Sequence, residues 1–116
     1  DRRRAIRVRR GDVYTAAARG TYTGKPRPVV IVQDDRFDAT GSVTVCPLTT
    51  DPLEAPLTRI FMEPSSMNGL DQGSSLMVDK VTTMPRANLQ QHLGRLPEAD
   101  LIRLNRALIV FLGLVS

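Results

Sequence analysis

The sequence predicts a small, strongly curved antiparallel β-sheet or barrel that is closed by one C-terminal helix. Short apolar runs rich in β-branched residues alternate with segments rich in Gly, Pro and Asp, which are typical of turns. No helical segments separate these runs, which argues against a parallel sheet with crossover helices. A clear helical period is found only at the C-terminus.

Most of the apolar runs are predicted to be strands because they combine β-branched or aromatic residues with polar neighbours. In chain order, these runs are DVYTAA, PVVIVQ, VTVCPL, LTRIFM, SSLMVD, KVTTM and QHLGRL. Three segments of turn-forming residues, ARGTYTGKP, DDRFDATGS and EPSSMNGLDQG, are predicted to be exposed loops. We expect the first of these loops, which leads into the second strand, to be mobile.

The C-terminal helix is predicted to cover residues 97–112. Pro97 suits the first turn of a helix, where a backbone N–H has no partner within the helix. An apolar stripe follows at spacings of three and four, formed by Leu101, Leu104, Leu108 and Phe111. These spacings predict one amphipathic helix that closes the sheet.

The basic character of the chain is concentrated at its N-terminus. Residues 1–10 hold six arginines and one aspartate, a charge of +5, whereas the whole chain carries +4. Residues 11–116 therefore carry −1, so bulk charge alone does not indicate a nucleic-acid partner. Residues 1–8 are predicted to be a solvated arm, either disordered or vector-derived, and residues 9–116 a single domain.

Several sites and compartments are disfavoured by the composition. No apolar run reaches the roughly 18 residues of a membrane span and no secretory signal is recognisable, so a cytoplasmic protein that does not contact membranes is expected. The single cysteine, Cys46, lies in an apolar run and is predicted to be buried. With one histidine, His92, and one cysteine, the chain lacks the closely spaced ligands of a metal site, and no cofactor is expected.

Arg27 stands out because it lies between two prolines at the start of a strand-forming run. Pro26 and Pro28 restrict the backbone around it and favour an extended conformation at Arg27. From these residues alone, Arg27 is either an ordinary solvated residue at the start of a strand or a cation that the backbone holds in a fixed direction.

An ordered series of segments resembles one known family. The series is RRGDVY at residues 9–14, RPVVIVQ at 27–33, VCPLTT at 45–50, GSSLMVDKVTTMPRANL at 73–89, and LGRL before the helix. It resembles the MazF/PemK family of bacterial toxins, the messenger-RNA interferases. The resemblance implies an SH3-like open barrel, a homodimer, and metal-independent cleavage of single-stranded mRNA at a short sequence to 2′,3′-cyclic phosphate and 5′-hydroxyl ends. It also implies neutralisation by a cognate antitoxin with an extended acidic segment.

The resemblance also implies which residues carry the chemistry. The family's catalytic arginine follows a loop and precedes a proline, which is the position of Arg27, and its catalytic Thr or Ser closes the next long strand, at Thr49. Thr50 is the second choice for that role and a candidate RNA contact. Asp79 matches a family aspartate. Three further candidate phosphate contacts are Lys25, Lys80 and Arg86.

The sequence departs from one branch of the family at two positions, and this leaves the general base open. That branch has an arginine two residues before the aspartate, where Met77 stands here, and a histidine where Thr21 stands here. Asp79 is the best titratable candidate, Arg27 would need a greatly lowered pKa, and a purely electrostatic mechanism is the third possibility.

Two other functions are compatible with a small barrel. One is a gyrase poison of the CcdB type, which resembles this chain less because that group acts through a C-terminal tryptophan and this chain has none. The other is a noncatalytic nucleic-acid-binding barrel. Three aromatic residues are available to stack on bases, namely Tyr14, Tyr22 and Phe37.

Overall fold

The computed structural model describes residues 7–17 and 25–115, which form one antiparallel sheet and one helix. Each run predicted to be a strand forms one, which confirms that prediction, and the connections include short 3₁₀ turns at residues 35–37, 78–80 and 86–88. Most of the first predicted loop, residues 18–24, lies outside the described residues. The strands and helix are β1 (Asp12–Ala16), β2 (Arg27–Ile31), β3 (Ser42–Thr49), β4 (Arg59–Met62), β5 (Ser74–Met77), β6 (Thr82–Pro85), β7 (Leu89–Arg95) and α1 (Glu98–Phe111).

The sheet is an open barrel built around β3. The strand order is β4-β5-β3-β2-β1-β7, and β6 pairs with β3 as well. All pairings are antiparallel, so the predicted fold class is confirmed. Within the part of the chain that the structure describes, no pairing joins β4 to β7, and the barrel stays open there.

The strands bury side chains on both faces of the curved sheet. Val13 and Val30 belong to one core, which α1 covers, whereas their neighbours Tyr14 and Val29 belong to a second core on the other face. Cys46 is fully buried in the first core, as predicted. Burial raises the pKa of its thiol to about 12, so Cys46 is not a nucleophile at neutral pH.

Helix α1 agrees with the predicted bounds to within one residue at each end. Leu104 is fully buried, and Leu101 and Leu108 pack against the first core. Phe111, the last residue of the predicted stripe, is 46% exposed. The last turn of α1 extends beyond the core that the helix covers, so the stripe is buried at its start and exposed at its end.

The N-terminal boundary of the domain also differs from the prediction. The sequence predicts Val8 in the solvated arm, but Val8 is 3% exposed and packs in the second core. Its backbone N–H donates to Asp38 Oδ1 at 3.3 Å. The domain therefore includes Val8, while residues 1–6 of the predicted arm lie outside the described residues.

A tight contact attaches the loop between β4 and β5 to β7. A Cβ atom at Gly94 would lie 2.2 Å from the carbonyl oxygen of Met67, and one at Gly69 would lie 2.0 Å from that of Leu93. Gly69 also has a φ of 70°, in the left-handed region that glycine tolerates. Two glycines thus allow the two backbones to approach closely.

Gly94→Ala should lower the free energy of unfolding by about 2 kcal/mol, because the added methyl group would push against backbone atoms. Gly41→Ala is the matched control, since a Cβ there meets nothing within 4 Å. It should change stability by less than about 0.5 kcal/mol. Urea unfolding of both variants at equal protein concentration measures the difference. Equal stability of the two variants would contradict the close approach.

Candidate active site

Arg27 lies at the mouth of an open cleft, which we call the Arg27 cleft. It is the first residue of β2, pairs with Ala16 of β1, and is exposed. Among the described residues, its guanidinium has no hydrogen-bond or salt-bridge partner. The cleft measures about 750 Å³, and its polar lining includes Thr15, Lys25, Thr50, Asp71, Gln72 and Gln91. The donors of Arg27 are therefore available to a ligand in the cleft.

The wall opposite Arg27 is held in place by a buried asparagine. Asn68 is 1% exposed, and its Oδ1 accepts hydrogen bonds from the backbone N–H groups of Ser65 and Leu70, each at 3.0 Å. Its Nδ2 donates to the carbonyl of Glu63 at 2.9 Å. These bonds fix the turn whose continuation, residues 69–72, lines the cleft. The turn-forming dipeptide Asn68-Gly69 is a sequence signal that indicates such a turn.

Thr49 lies in a different cleft from Arg27. As the last residue of β3, it lines a smaller opening of about 400 Å³, the Thr49 cleft. Its Oγ1 accepts a hydrogen bond from the backbone N–H of Asp51 at 3.1 Å. Thr50, the next residue, lines the Arg27 cleft instead, because adjacent side chains of an extended chain point in opposite directions.

The two clefts are neighbours at the end of β3, because the adjacent residues Thr49 and Thr50 line one each. The pairing of β2 with β3 ends at Val29 and Pro47, and Thr49 pairs with Ser75 of β5. The predicted catalytic residues Arg27 and Thr49 thus line two neighbouring openings. The single group of Arg27, Thr49 and Asp79 that the resemblance implies stays a prediction.

Asp79 forms a salt bridge with an arginine that sequence spacing does not indicate. Arg59, the first residue of β4, forms a salt bridge from Nη1 to Asp79 Oδ1. Arg59 pairs with Met77 across the strands, and both residues line the Thr49 cleft. The guanidinium next to Asp79 therefore comes from the neighbouring strand and not from position 77. Only the cross-strand register reveals this pairing, which is why sequence spacing missed it.

The remaining candidate RNA contacts separate into two groups. Lys25 lines the Arg27 cleft and Lys80 the Thr49 cleft, and both are exposed. Arg86, by contrast, is 7% exposed, and its guanidinium donates to Asp38 Oδ1 and to the carbonyl of Thr40, with N–O distances of 3.0 Å from Nη1 and Nε, respectively. The prediction for Arg86 is therefore corrected: its burial gives it a structural role, and it lines neither cleft.

Comparison with known proteins identifies the family. A sequence profile described as "PemK-like, MazF-like toxin of type II toxin-antitoxin system" matches residues 9–112. The chain belongs to this MazF-like toxin family. It is also 64% identical, over 109 residues, to a probable endoribonuclease MazF of Mycolicibacterium smegmatis, covering 94% of this chain and 100% of that protein.

Solved structures of MazF-like toxins have the same fold. The Mycobacterium tuberculosis toxin MazF-mt6 has 25% sequence identity and a TM-score of 0.74, covering 90% of this chain and 99% of that one. An endoribonuclease in complex with its cognate antitoxin, from a mycobacterial species, has 30% identity and a TM-score of 0.77, covering 94% and 98%. The structural similarity to these toxins thus covers at least 90% of this MazF-like chain.

Three other residues noted in the sequence of this MazF-like toxin, Tyr14, His92 and Phe37, line neither of the two clefts. Tyr14 is buried, and the centroid of its ring lies 5.0 Å from that of His92. Burial raises the pKa of Tyr14, and the negative charge of Asp12 raises it further. His92 is in strand β7, and its Nε2 lies 3.6 Å from Asp12 Oδ1. Phe37 is 58% exposed and lies in a groove beside α1, and Tyr22 is outside the described residues.

The described residues contain neither a membrane-spanning helix nor a cluster of metal ligands. Within residues 7–17 and 25–115, no helix is both long and apolar enough to cross a membrane. In the same part of the chain, no three His, Cys, Asp or Glu side chains are grouped closely enough to hold a metal ion. The absence of a cofactor stays a prediction.

Proposed function

We propose that this chain is a cytoplasmic endoribonuclease that cleaves single-stranded mRNA. The observation that carries the proposal is an exposed arginine, without a partner among the described residues, at the family's catalytic position in a cleft large enough for nucleotides. The endoribonuclease name of the 64% identical relative supports it.

The reaction begins with attack of a ribose 2′-oxygen on the adjacent phosphorus. The 2′-hydroxyl loses its proton to solvent as the bond to the 5′-oxygen of the next nucleotide breaks. This yields a 2′,3′-cyclic phosphate and, after the 5′-oxygen takes up a proton from solvent, a 5′-hydroxyl. Extra negative charge develops on the phosphoryl oxygens, and the Arg27 guanidinium is placed to donate to them. Because Pro26 and Pro28 restrict its backbone, little ordering of this segment is needed when the substrate binds.

A threonine at the end of β3 supplies a second hydrogen-bond donor. Thr50 shares the Arg27 cleft and Thr49 lines the adjacent one, so both can reach an extended strand of RNA that crosses from one cleft to the other. Asp79 is held in a salt bridge with Arg59, which favours a positioning role for this carboxylate over proton abstraction from the 2′-hydroxyl. Lys25 and Lys80 would contact phosphates along the same path.

RNA cleavage should persist when divalent cations are removed. In the proposed mechanism, Arg27 stabilises the charge on the phosphoryl oxygens, a role that a metal ion has in metal-dependent nucleases. EDTA is therefore expected to leave the rate within about twofold of that of the untreated enzyme. Cut sites mapped on a mixed single-stranded RNA, with and without EDTA, measure this. Activity lost to EDTA and restored by magnesium would contradict the mechanism, and an absence of cleavage under both conditions would contradict the function.

We also propose that the protein is a homodimer whose interface includes the last turn of α1. Six apolar side chains at the end of α1 and just after it are between 40% and 72% exposed. Three of them, Ile109, Leu112 and Leu114, line a groove of about 750 Å³. A group of exposed apolar side chains of this size is typical of a protein interface. The six residues are Ile109, Val110, Phe111, Leu112, Leu114 and Val115.

Val110→Asp should shift the protein from dimer to monomer, because the carboxylate would lose its hydration in the interface. Leu57→Asp is the matched control, since Leu57 is 74% exposed in the β3–β4 loop and does not line the groove beside α1. Sedimentation velocity at several concentrations measures both variants. A monomeric wild-type protein, or a dimeric Val110→Asp variant, would contradict this interface.

The proposed inhibitor is an antitoxin with an extended acidic segment. Its carboxylates would pair with Arg27 and Lys25 and would thereby occupy the cleft that RNA needs. Because the body of the chain carries only −1, this recognition depends on local charges and not on net charge. The solved complex of a related endoribonuclease with its cognate antitoxin supports a partner of this type.

A further inference from the structure

The Thr49 cleft contains an arginine whose orientation is fixed by the protein. Only 9% of the Arg59 side chain is exposed, and Nη1 makes both of its contacts, one with Asp79 Oδ1 and one with the carbonyl of Thr58 at 3.2 Å. A guanidinium that is buried and held at one nitrogen has little rotational freedom. Arg59 therefore presents its remaining donors in one direction.

The remaining donors of Arg59 are Nε–H and Nη2–H, which lie on one edge of the guanidinium. Among the described residues they have no protein partner. No side-chain polar atom in this part of the chain is both shielded from solvent and without a hydrogen bond, so these two groups are reached by solvent, and Arg59 lines the Thr49 cleft. Two parallel N–H groups on one edge match a ligand with two adjacent acceptor atoms.

The other walls of the Thr49 cleft favour a base over a phosphate. Pro52, Leu53 and Met77 provide apolar surface, on which the flat face of a base can pack. The cations of Arg59 and Lys80 are accompanied by the carboxylates of Asp51 and Asp79, so the net charge of the cleft does not favour a phosphate over a base at Arg59. Its volume of about 400 Å³ accommodates one nucleobase.

We propose that the Thr49 cleft binds one unpaired base of the RNA and that Arg59 determines which base is accepted. This inference rests on the proposed RNA cleavage and adds a specificity site to it. Guanine presents O6 and N7 as adjacent acceptors, and cytosine presents O2 and N3. In adenine, the acceptors N1 and N7 each lie beside the N6 amino donor, and in uracil the N3–H donor lies between the acceptors O2 and O4. The cleft therefore prefers guanine or cytosine at one position near the cut, and Asp79 is the positioning residue that holds Arg59.

Cleavage-site profiling of a randomised single-stranded RNA tests the pocket. The wild-type enzyme should show a preference for G or C at one position beside the cut. Arg59→Gln should reduce that preference by about tenfold while preferences at other positions persist, because one bidentate contact is lost. Arg59→Lys keeps the charge without the two-donor edge and should weaken the same position. Arg36→Gln is the matched control, since Arg36 is 81% exposed and paired with Asp34 outside both clefts.

Each outcome of this experiment decides a different claim. An unchanged base profile for Arg59→Gln, or a uniform loss at all sequences, would overturn the pocket and leave the proposed cleavage intact. If Arg59→Gln proves unstable by thermal melting, the Arg59→Lys profile and the binding of 2′-O-methyl RNA pentamers to wild-type protein decide the question. Pentamers that bind equally well with A, U, G or C at every position would reject base recognition. No cleavage by the wild-type enzyme would reject the proposed function itself.

Discussion

Arg27→Ala is expected to reduce RNA cleavage by about 100-fold or more without altering the fold. The Arg27 side chain is exposed and has no protein partner among the described residues, so its removal costs little packing. Loss of an oriented donor to a developing oxyanion typically has an effect of this size. Single-turnover cleavage of a labelled RNA measures the rate, and circular dichroism with thermal melting measures the fold.

Two further variants at arginine positions sharpen this prediction. Arg27→Lys keeps the charge but not the planar pair of donors, so it should recover only part of the rate. Arg36→Ala removes an arginine that is 81% exposed and paired with Asp34, and it should cleave at the wild-type rate. A folded Arg27→Ala protein with wild-type activity would remove Arg27 from the active site.

Arg86→Met is expected to lower the free energy of unfolding by about 3 kcal/mol. The substitution leaves the Asp38 carboxylate, whose side chain is only 20% exposed, without its partner at 3.0 Å. It also removes the donor to the Thr40 carbonyl and so releases the loop between β2 and β3. Chemical denaturation at equal protomer concentration measures the change.

The control for Arg86→Met is Arg36→Met, which breaks a salt bridge of the same length in solvent. Its effect on stability should stay below about 1 kcal/mol. If Arg86→Met were as stable as the wild type but bound RNA more weakly, the original assignment of Arg86 as a phosphate contact would be restored.

The fold was largely predictable because its strands carry local signals. The β-branched run of β2 and the alternating pattern of β3 are each sufficient to indicate a strand, and turn-forming residues bound them. Phe111 shows the limit of this approach. Periodicity assigns a residue to a face of a helix, but it does not reveal where the underlying core ends.

The site was only partly predictable, because its decisive contacts join distant segments. The position of Arg27 follows from its neighbouring prolines, which are visible in the sequence. The Arg59–Asp79 salt bridge depends on the register between β4 and β5 and on the turn after β5. The burial of Arg86 depends likewise on Asp38 and Thr40, more than forty residues earlier. Sequence spacing contains neither relation.

The chemistry of the RNA ends tests the proposed cleavage most directly. Purified protein is incubated with a single-stranded RNA in EDTA, and mass spectrometry identifies the termini of the products. The proposed mechanism predicts 2′,3′-cyclic phosphate and 5′-hydroxyl ends, absent from the Arg27→Ala reaction. Products with 3′-hydroxyl and 5′-phosphate ends would show that water and not the 2′-oxygen attacks the phosphorus, and they would contradict the mechanism assigned to the Arg27 cleft.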